Sequence, residues 1–328
     1  MSKALLSIRD LTVEFDTPAG TVHAVNGVSF DVNPGEVLGL VGESGCGKTV
    51  TLLAALRLLA EPPARLVGGQ ALFQGRDLLR LPRRELRRVR GRDIGFVFQD
   101  PLTSLHPSMR VGDQIAEALR VHDRGLAAAA ARARVVDLLD LVGVPRPATR
   151  LRDYPHQWSG GMRQRAMIAA AIANRPALLI ADEPTTALDV TIQAQVLDVL
   201  RLAAAETGAA TVLVSHDLGV IAELAARVVV MYGGRVVETA PVGELFARPR
   251  HPYTAALLAS VPRVDGPLRL SDPVPGQPPT LLEQPVGCSF AGRCPCREDR
   301  ERCVVEAPEL APGTHKVACH FPLTASRS

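Results

Sequence analysis

The sequence lacks long apolar segments and a strong excess of charge of either sign. No stretch reaches the ~18 consecutive apolar residues that a membrane-spanning helix requires, and residues 1–7 lack the basic-then-apolar pattern of a secretory signal. The net charge of +3 is too small to indicate a nucleic-acid partner. We therefore expect a cytosolic protein that acts at a membrane only by docking on another protein.

Aromatic residues make up only 4% of the chain, and none lies within its densest basic run. Proteins that bind single-stranded nucleic acid combine basic side chains with aromatic rings that stack on the bases. We therefore interpret the run as the solvated face of a helix without direct nucleic-acid contact, with proximity to anionic lipid as the alternative. Its members are Arg83, Arg84, Arg87, Arg88, Arg90 and Arg92.

At 328 residues the chain is longer than one hydrophobic core usually serves, so we expect two structural units. Short β-rich segments separated by turn residues fill residues 8–41, which predicts an antiparallel sheet. Further apolar segments predict strands at 94–98, 177–181 and 211–214, and residues 102–173 are mostly helical in character. The core is therefore predicted to be a mainly parallel sheet between helices.

Proline and glycine residues predict a helix end, a hairpin and a connecting segment. Pro62-Pro63 is expected to end a helix over residues 48–59. Gly233-Gly234, between two β-branched runs, predicts a hairpin across residues 227–239. Beyond Pro241, frequent prolines predict an extended connection to a cysteine-rich end. These prolines are Pro262, Pro267, Pro273, Pro275, Pro278, Pro279 and Pro285.

An eight-residue segment after a predicted strand at 37–41 fits the phosphate-binding pattern G-x-x-x-x-G-K-[ST] and precedes a predicted helix. Backbone N–H groups and the partial positive charge of a helix N-terminus favour phosphate oxygens at such a loop. We expect Lys48 to reach the β- and γ-phosphates of ATP and the Thr49 hydroxyl to bind Mg²⁺, while Cys46 is a small loop residue and not a nucleophile. The segment consists of Gly42, Glu43, Ser44, Gly45, Cys46, Gly47, Lys48 and Thr49.

Two adjacent carboxylates follow the apolar segment 177–181. Because burial of such a strand places its carboxyl end beside the phosphate-binding segment in an α/β fold, we expect Asp182 to hold Mg²⁺ through its water shell. Glu183 is expected to polarise the water that attacks the γ-phosphate. A solvated strand end is the common explanation for a lone acid, whereas two adjacent acids suggest two roles.

Two other polar residues lie at the ends of apolar segments, Gln99 directly after 94–98 and His216 in Ser215-His216-Asp217 after 211–214. Each is ambiguous alone, because an amide at a strand end can simply satisfy backbone groups and a lone histidine is more often structural than catalytic. Their order relative to the phosphate-binding segment and the carboxylates favours a role in the same chemistry.

A second glycine-rich turn, Ser159-Gly160-Gly161-Met162, begins a predicted helix and can bind phosphate by the same backbone and dipole physics. It has no Lys-Thr pair and therefore does not duplicate the first site. The simplest interpretation is that it covers the γ-phosphate of an ATP held by another protomer. This predicts a head-to-tail dimer with ATP between the subunits.

These motifs, in their order along residues 7–241, resemble those of ATP-binding cassette (ABC) ATPases. The resemblance implies an α/β fold with a P-loop NTPase (RecA-like) core, an N-terminal antiparallel β-subdomain, a helical signature subdomain and a Cys-rich C-terminal extension. It also implies that Gln99 senses Mg²⁺ and the transmembrane partner, that His216 contacts the γ-phosphate, and that Asp189 links the two ATP sites across the dimer.

The resemblance to the family is less direct at Phe15 and in the signature. Phe15 follows a β-rich segment where the family stacks an aromatic ring on adenine, and a place in the hydrophobic core is the alternative for it. The signature reads Trp158-Ser159-Gly160-Gly161-Met162 where the family commonly has LSGGQ. The serine and both glycines remain, so the phosphate contact is expected to survive.

Three stretches, residues 99–107, 250–254 and 287–320, resemble the peptide and nickel importer branch of the family. In that branch two different ATPase subunits pair beneath two transmembrane permease subunits, and an external substrate-binding protein delivers the cargo. The resemblance thus implies a peripheral protein at the cytoplasmic face of the cell membrane that energises import of dipeptides or oligopeptides, with nickel as the alternative cargo.

Five of the six cysteines lie within residues 288–319, which in a reducing cytosol favours a metal site over disulfides. Cys288, Cys294, Cys303 and Cys319 resemble the thiolates that hold a [4Fe–4S] cluster in some relatives, with Cys296 as the substitute ligand. Zinc is the competing assignment, through the same thiolates or with His315 or His320, and reduced thiols without a metal are the third.

A soluble ABC ATPase that acts on nucleic acid or ribosomes is the rival class for the same motifs. Such proteins usually carry two cassettes or a coiled-coil insertion, whereas this chain has one cassette and an importer-like tail. A small-molecule kinase shares the phosphate-binding segment but has no use for the signature. The predicted organisation is an ABC ATPase domain over 1–241, with a helical subdomain at about 100–173, and a Pro-rich connection and Cys-rich region over 242–328.

Overall fold

The computed structural model describes residues 4–186, 188–260, 274, 276–284, 286–297 and 300–324. Five prolines of the predicted connection, Pro262, Pro267, Pro273, Pro275 and Pro285, lie outside the described residues, as does Ala187 in the segment before Asp189. The described strands are β1 (Leu6–Thr17), β2 (Gly20–Val32), β3 (Val37–Val41), β4 (Ala64–Phe73), β5 (Arg76–Asp77), β6 (Ile94–Val97), β7 (Leu178–Asp182), β8 (Ala210–Val214), β9 (Arg227–Tyr232), β10 (Arg235–Pro241) and β11 (Lys316–Val317).

Helices dominate the middle of the chain. The described α-helices are α1 (Lys48–Ala55), α2 (Arg83–Val89), α3 (Pro101–Ser104), α4 (Val111–Arg120), α5 (Ala128–Leu141), α6 (Pro147–Arg150), α7 (Gly160–Ile172), α8 (Val190–Thr207), α9 (Leu218–Leu224), α10 (Val242–Ala247), α11 (Pro252–Ala259) and α12 (Arg302–Val305). A 3₁₀ helix (Pro155–Gln157) precedes α7. The expected helical character of residues 102–173 is confirmed.

The chain forms two compact units. The first comprises Met1–Val32, Val37–Arg80 and Ser215–Ser328, and the second comprises Asn33–Glu36 and Leu81–Val214. The boundary proposed at Pro241 and the limits of the helical subdomain stay predictions.

The first unit contains an antiparallel sheet in the order β2-β1-β4-β5, as the sequence predicted for its N-terminal part. The β1–β2 hairpin pairs Leu6 with Val32 and Thr17 with Gly20. The two β-rich segments within residues 21–32 form one strand, because Gly27, at a φ of 68°, accommodates an irregularity without ending it.

A second set of strands in the first unit runs β11-β10-β9-β3. Strands β3 and β9 are parallel and largely buried, which explains their continuous Val and Leu content. Strands β9 and β10 form the predicted hairpin, with Gly233 and Gly234 at φ values of 55° and 75°. Near the C-terminus, β11 adds a short antiparallel strand to β10, pairing Val317 with Glu238.

Helix α1 is shorter than the sequence predicted, and the prolines at 62–63 do not end it. The helix stops at Ala55 because Arg57 adopts a left-handed conformation, with a φ of 53°. The Arg57 N–H donates to the Ala54 carbonyl at 2.8 Å and the Leu58 N–H to the Leu53 carbonyl at 2.8 Å. This pair of hydrogen bonds is a Schellman motif, which satisfies the last helical carbonyls.

The second unit contains three parallel strands in the order β8-β7-β6. The register pairs Val97 with Ala181 and Asp182 with Val214, so the carboxyl ends of the strands lie along one edge. In α2, Leu86 and Val89 are buried while Arg83, Arg84, Arg87 and Arg88 are exposed. The interpretation of the basic run as a solvated helical face is confirmed for these four arginines.

Candidate active site

The phosphate-binding segment, here called the phosphate loop (Gly42–Thr49), follows β3 and includes the first two residues of α1, in the context the sequence predicted. Gly42 and Gly47 have φ values of 150° and 100°. A Cβ atom at Gly42 would overlap the Met231 carbonyl oxygen, and one at Gly47 would lie 2.5 Å from the Ala24 carbonyl oxygen. Both positions therefore require glycine for conformation and for close approach of neighbouring backbone.

Lys48 is only 4% exposed, and backbone carbonyls of the loop accept hydrogen bonds from its side chain. Its Nζ donates to the Gly42 carbonyl at 2.8 Å and to the Glu43 carbonyl at 3.0 Å. The neighbouring Cys46 is buried, and burial raises the pKa of its thiol. A thiol kept protonated is a poor nucleophile, in keeping with its interpretation as a small loop residue.

The side chain and the backbone of Glu43 both have partners distant in sequence. The Arg293 guanidinium contacts both carboxylate oxygens, with Nη1–Oε2 at 2.6 Å and Nη2–Oε1 at 3.0 Å. The Glu43 N–H donates to the Tyr253 hydroxyl at 2.8 Å. Sequence reasoning missed both partners, because nothing in the spacing of residues links positions 253 and 293 to the phosphate loop.

Two other expected site residues belong to the first unit. Phe15 lies half-buried near the end of β1, opposite Val22 of β2 and Ala64 of β4. His216 is exposed, just after β8. The turn that carries it is fixed on its C-terminal side by Asp217, whose carboxylate accepts from the Gly219 N–H at 2.8 Å and caps α9.

In the second unit, Gln99 and Glu183 are in contact. Asp182 is the last residue of β7 and is 2% exposed, and Glu183 follows it with a φ of 44°. The Glu183 Oε2 atom accepts from the Gln99 side-chain amide at 3.0 Å and from the Thr186 hydroxyl at 3.0 Å. The strand-end amide and the second carboxylate, 84 positions apart, thus form one polar cluster.

The signature turn begins α7, as predicted, with Ser159 as its N-cap. The Ser159 hydroxyl accepts from the Met162 N–H at 3.4 Å. Trp158 is buried, and its indole N–H donates to the Asp153 carboxylate at 3.2 Å, which fixes the chain before the helix. A Cβ atom at Gly161 would lie 2.6 Å from the Ile192 Cγ2 atom, so α7 and α8 pack closely at this position.

Asp189 caps α8 rather than standing free on a loop. Its carboxylate accepts from the Ile192 N–H at 3.0 Å. The residue implied to link two ATP sites is therefore positioned by the same helix start that packs on Gly161.

The C-terminal cysteines are reduced and half-buried, and they influence one another electrostatically. Burial raises the pKa of Cys288 and Cys319, and it raises the pKa of Cys294 to about 11. Nearby Cys303 adds to each of these shifts. Among the described residues, however, no group of three or more His, Cys, Asp or Glu side chains is arranged to hold a metal ion.

Models of two known protein families match parts of this chain. The family model described as ABC transporter matches residues 25–186, and the model described as oligopeptide/dipeptide transporter, C-terminal region, matches residues 237–303. A probable peptide ABC transporter ATP-binding protein, y4tR of Sinorhizobium fredii, is 52% identical over 96% of this chain and 94% of its own length. The chain belongs to the ABC transporter ATP-binding proteins.

Two further members of the family support this assignment of an ABC ATPase. The dipeptide transport ATP-binding protein DppD of Bacillus subtilis is 50% identical over 89% of this chain and 87% of its own length. The ATP-binding cassette MJ0796, solved as a dimer bound to ADP and Pi after hydrolysis, aligns with a TM-score of 0.65 at 26% identity, covering 72% of this chain and 98% of that one. The protein is therefore an ATPase with the α/β cassette fold. In the described part of the chain, no helix combines the length and the apolar character needed to cross a membrane.

Proposed function

We propose that this ABC ATPase energises the import of dipeptides or oligopeptides through a membrane transporter. The observation that carries the proposal is the match of residues 237–303 to the oligopeptide/dipeptide transporter C-terminal region, in the same chain as a complete phosphate loop. ATP binding would close an ATPase dimer and hydrolysis would reopen it, shifting the membrane subunits between inward-facing and outward-facing states.

The phosphate loop is assigned to the triphosphate and Phe15 to the adenine ring. Loop N–H groups and Lys48 would contact the phosphates, because the loop is glycine-rich and opens directly into α1. Mg²⁺ would be held through Thr49, Gln99 and Asp182. These side chains offer the oxygen donors that Mg²⁺ prefers, and the ion would offset charge on the phosphate oxygens.

Glu183 is assigned to the hydrolytic water. Its contacts with Gln99 and Thr186 fix one carboxylate oxygen, and the carboxylate would accept a hydrogen bond from that water. His216 is assigned to the γ-phosphate. In this scheme Gln99 positions the carboxylate as well as contributing to the Mg²⁺ site.

The partners are assigned from the signature and from the relatives. Ser159, Gly160, Gly161 and Met162 would complete the ATP site of a second, different ABC ATPase subunit. The pair would dock on two transmembrane permease subunits at the cytoplasmic face of the membrane, and an external substrate-binding protein would deliver the peptide. Two relatives, a probable peptide ABC transporter ATP-binding protein and a dipeptide transport ATP-binding protein, support a place in a peptide transporter.

Turnover of the reconstituted transporter tests the assignment of Glu183. Glu183→Gln should retain ATP binding and lower ATP hydrolysis by two or more orders of magnitude, because an amide cannot accept the proton of the attacking water. Glu206→Gln, an exposed glutamate at the end of α8, is the matched control. Undiminished turnover would show that hydrolysis depends on the partner's site and not on Glu183.

Uptake of labelled cargo by the same vesicles tests peptide against nickel. With the cognate binding protein added, we expect ATP-dependent accumulation of a dipeptide or oligopeptide. Accumulation of nickel without peptide would overturn the peptide assignment and would leave the ATPase assignment intact.

The Cys-rich region is proposed to hold a [4Fe–4S] cluster through Cys288, Cys294, Cys303 and Cys319, with zinc as the competing metal. Four thiolates are the donors that such a cluster requires, and all four of these cysteines are free. The cluster would stabilise this region and take no part in ATP hydrolysis. Anaerobic purification followed by iron and sulfide analysis tests it, and colourless protein with stoichiometric zinc would overturn it.

A further inference from the structure

Glu43 of the phosphate loop forms a bidentate ion pair with Arg293, 250 positions later in the chain. The Arg293 side chain is 8% exposed and that of Glu43 is 21% exposed, so solvent screens this pair weakly. The pair therefore differs from a mobile surface salt bridge, whose contribution is usually small.

Other contacts fix the position of Arg293. Its Nη1 atom also donates to the Tyr232 hydroxyl at 3.1 Å, and its Nη2 atom donates to the Val274 carbonyl at 3.1 Å. The guanidinium carbon lies 5.7 Å from the centre of the Tyr232 ring and 6.0 Å from that of Phe290. A guanidinium held on several sides can impose its geometry on the carboxylate that it binds.

Tyr253 holds the backbone of the same loop residue. Its hydroxyl accepts from the Glu43 N–H, and its buried ring packs against Tyr232 and Phe290 with centroid distances of 4.6 and 5.4 Å. The Glu43 carbonyl in turn accepts from the Lys48 Nζ atom. The N–H, the carbonyl and the carboxylate of Glu43 each have a partner, and two of the three come from the region after residue 250.

A carboxylate within an anion-binding loop has a predictable electrostatic effect. Its negative charge repels the phosphates that the loop N–H groups and Lys48 attract. This repulsion is strong where water is partly excluded. Arg293 neutralises this charge and ties the carboxylate to one position. Without Arg293, the Glu43 carboxylate would lose its main counter-ion.

We propose that Arg293 and Tyr253 are positioning residues for the phosphate loop, so that ATP affinity depends on the C-terminal region. Arg293 acts by neutralising and orienting the Glu43 carboxylate, and Tyr253 by orienting the Glu43 peptide group. The inference rests on the proposed role of the phosphate loop in binding ATP.

Steady-state ATPase kinetics of the full transporter, with the partner ATPase unchanged, test this proposal. Arg293→Met keeps the packing on the aromatic rings and removes the charge, so the KM for ATP should rise about tenfold while kcat stays within about twofold. The double variant Glu43→Gln with Arg293→Met should return KM to within about threefold of the wild type, because no uncompensated carboxylate remains. A structural defect alone would not be rescued in this way.

Arg302→Met is the matched control. Arg302 forms an equally bidentate pair with Glu306, at 2.7 and 2.8 Å, on the exposed face of α12 in the same C-terminal region. Its loss should leave the KM for ATP unchanged. A KM increase equal to that of Arg293→Met would show that any damage to the region lowers affinity, and it would overturn the specific role of Arg293.

Tyr253→Phe keeps the ring and removes the acceptor for the Glu43 N–H, so it should raise KM about threefold even if Arg293→Met does not fold. Lys48→Ala tests the role of the phosphate loop in ATP binding separately from the role of Arg293 and Tyr253. ATP binding of this variant is measured by calorimetry on the full chain. Loss of binding with Lys48→Ala, together with unchanged KM in the Arg293 and Tyr253 variants, would overturn this inference alone. Unchanged binding with Lys48→Ala would overturn the assigned phosphate site itself.

Discussion

His251 is a neutral histidine enclosed at the start of α11. It is 1% exposed, and its Nδ1 atom accepts from the Tyr253 N–H at 3.0 Å. The Nε2 atom therefore carries the proton, and it has no hydrogen-bond partner among the described residues. Rings of Tyr253 and Phe290 pack against it, and Glu238 accepts from its backbone N–H at 2.9 Å. Burial lowers the pKa of His251 from 6.5 to about 4.

This shift predicts a defined loss of stability in acid. A histidine with a lowered pKa in the folded state contributes its full stability above the unfolded-state pKa of 6.5, and that contribution falls as the pH drops from 6.5 towards about 4. Each pH unit within this window should lower the free energy of unfolding by about 1.4 kcal/mol for this group. Between these two pH values the unfolded state binds more protons than the folded state, so the free energy of unfolding falls as the pH falls.

Urea unfolding of wild type and His251→Asn at pH 7 and pH 5 measures the effect. Asparagine can still cap α11 but does not titrate, so the variant should lose less stability between these two values than the wild type. Equal losses in both proteins would contradict the assignment of this acid sensitivity to His251.

At the scale of elements, the β4–β5 hairpin contains a residue that its turn does not favour. The two-residue loop consists of Gln74 and Gly75, with φ values of 50° and 81°, and positive φ at both positions is typical of a type I′ turn. Gln74 is exposed, and its N–H donates to the Leu5 carbonyl at 2.8 Å. Asparagine tolerates this left-handed conformation better than glutamine.

Gln74→Asn should therefore stabilise the protein by roughly 0.5 kcal/mol, and Gln74→Val should destabilise it by about 1 kcal/mol, since a β-branched side chain resists positive φ. Both variants keep the backbone N–H that bonds to Leu5. Thermal unfolding compares the three proteins directly. A stabilising valine would show that the turn is not of this type.

Sequence patterns predicted secondary structure best where residues close in sequence determine the backbone conformation. The strand–loop–helix around the phosphate loop and the Gly233-Gly234 hairpin follow from glycine conformations and from short-range patterns. The end of α1 was predicted at the wrong position, because nothing in the local sequence indicates that Arg57 adopts a left-handed conformation. A non-glycine residue in that role is set by the packing of the surrounding unit.

At the scale of the whole molecule, the two signature glycines differ in what requires them. Gly161 is required within the chain, because a side chain there would strike Ile192. Gly160 is exposed, and a Cβ atom there would make only an ordinary contact of 3.5 Å with Leu188. The packing of this chain therefore does not demand glycine at position 160, and we predict that its small size is needed for the nucleotide that we propose the partner ATPase to bind.

Gly160→Leu should accordingly leave the thermal stability of the isolated chain within about 0.5 kcal/mol of the wild type, since leucine is a good helix former. In the assembled transporter it should lower ATP turnover at least about tenfold by blocking the partner's ATP. Gly243→Ala in α10, where a Cβ atom meets open space, is the control with unchanged turnover. Full turnover of Gly160→Leu would contradict the sandwiched arrangement.

The sequence by itself determined the class of this protein, because its motifs are short segments whose conformation and chemistry depend on neighbouring residues. The phosphate loop, the two carboxylates at the end of β7 and the signature at the start of α7 could all be located from pattern alone. Only the tertiary structure decided what holds these motifs. The ion pair of Glu43 with Arg293, the hydrogen bond from the Glu43 backbone N–H to the Tyr253 hydroxyl, and the contact of Gln99 with Glu183 join residues far apart in the chain. Such contacts depend on how strands and the C-terminal region pack in three dimensions, which no local pattern encodes.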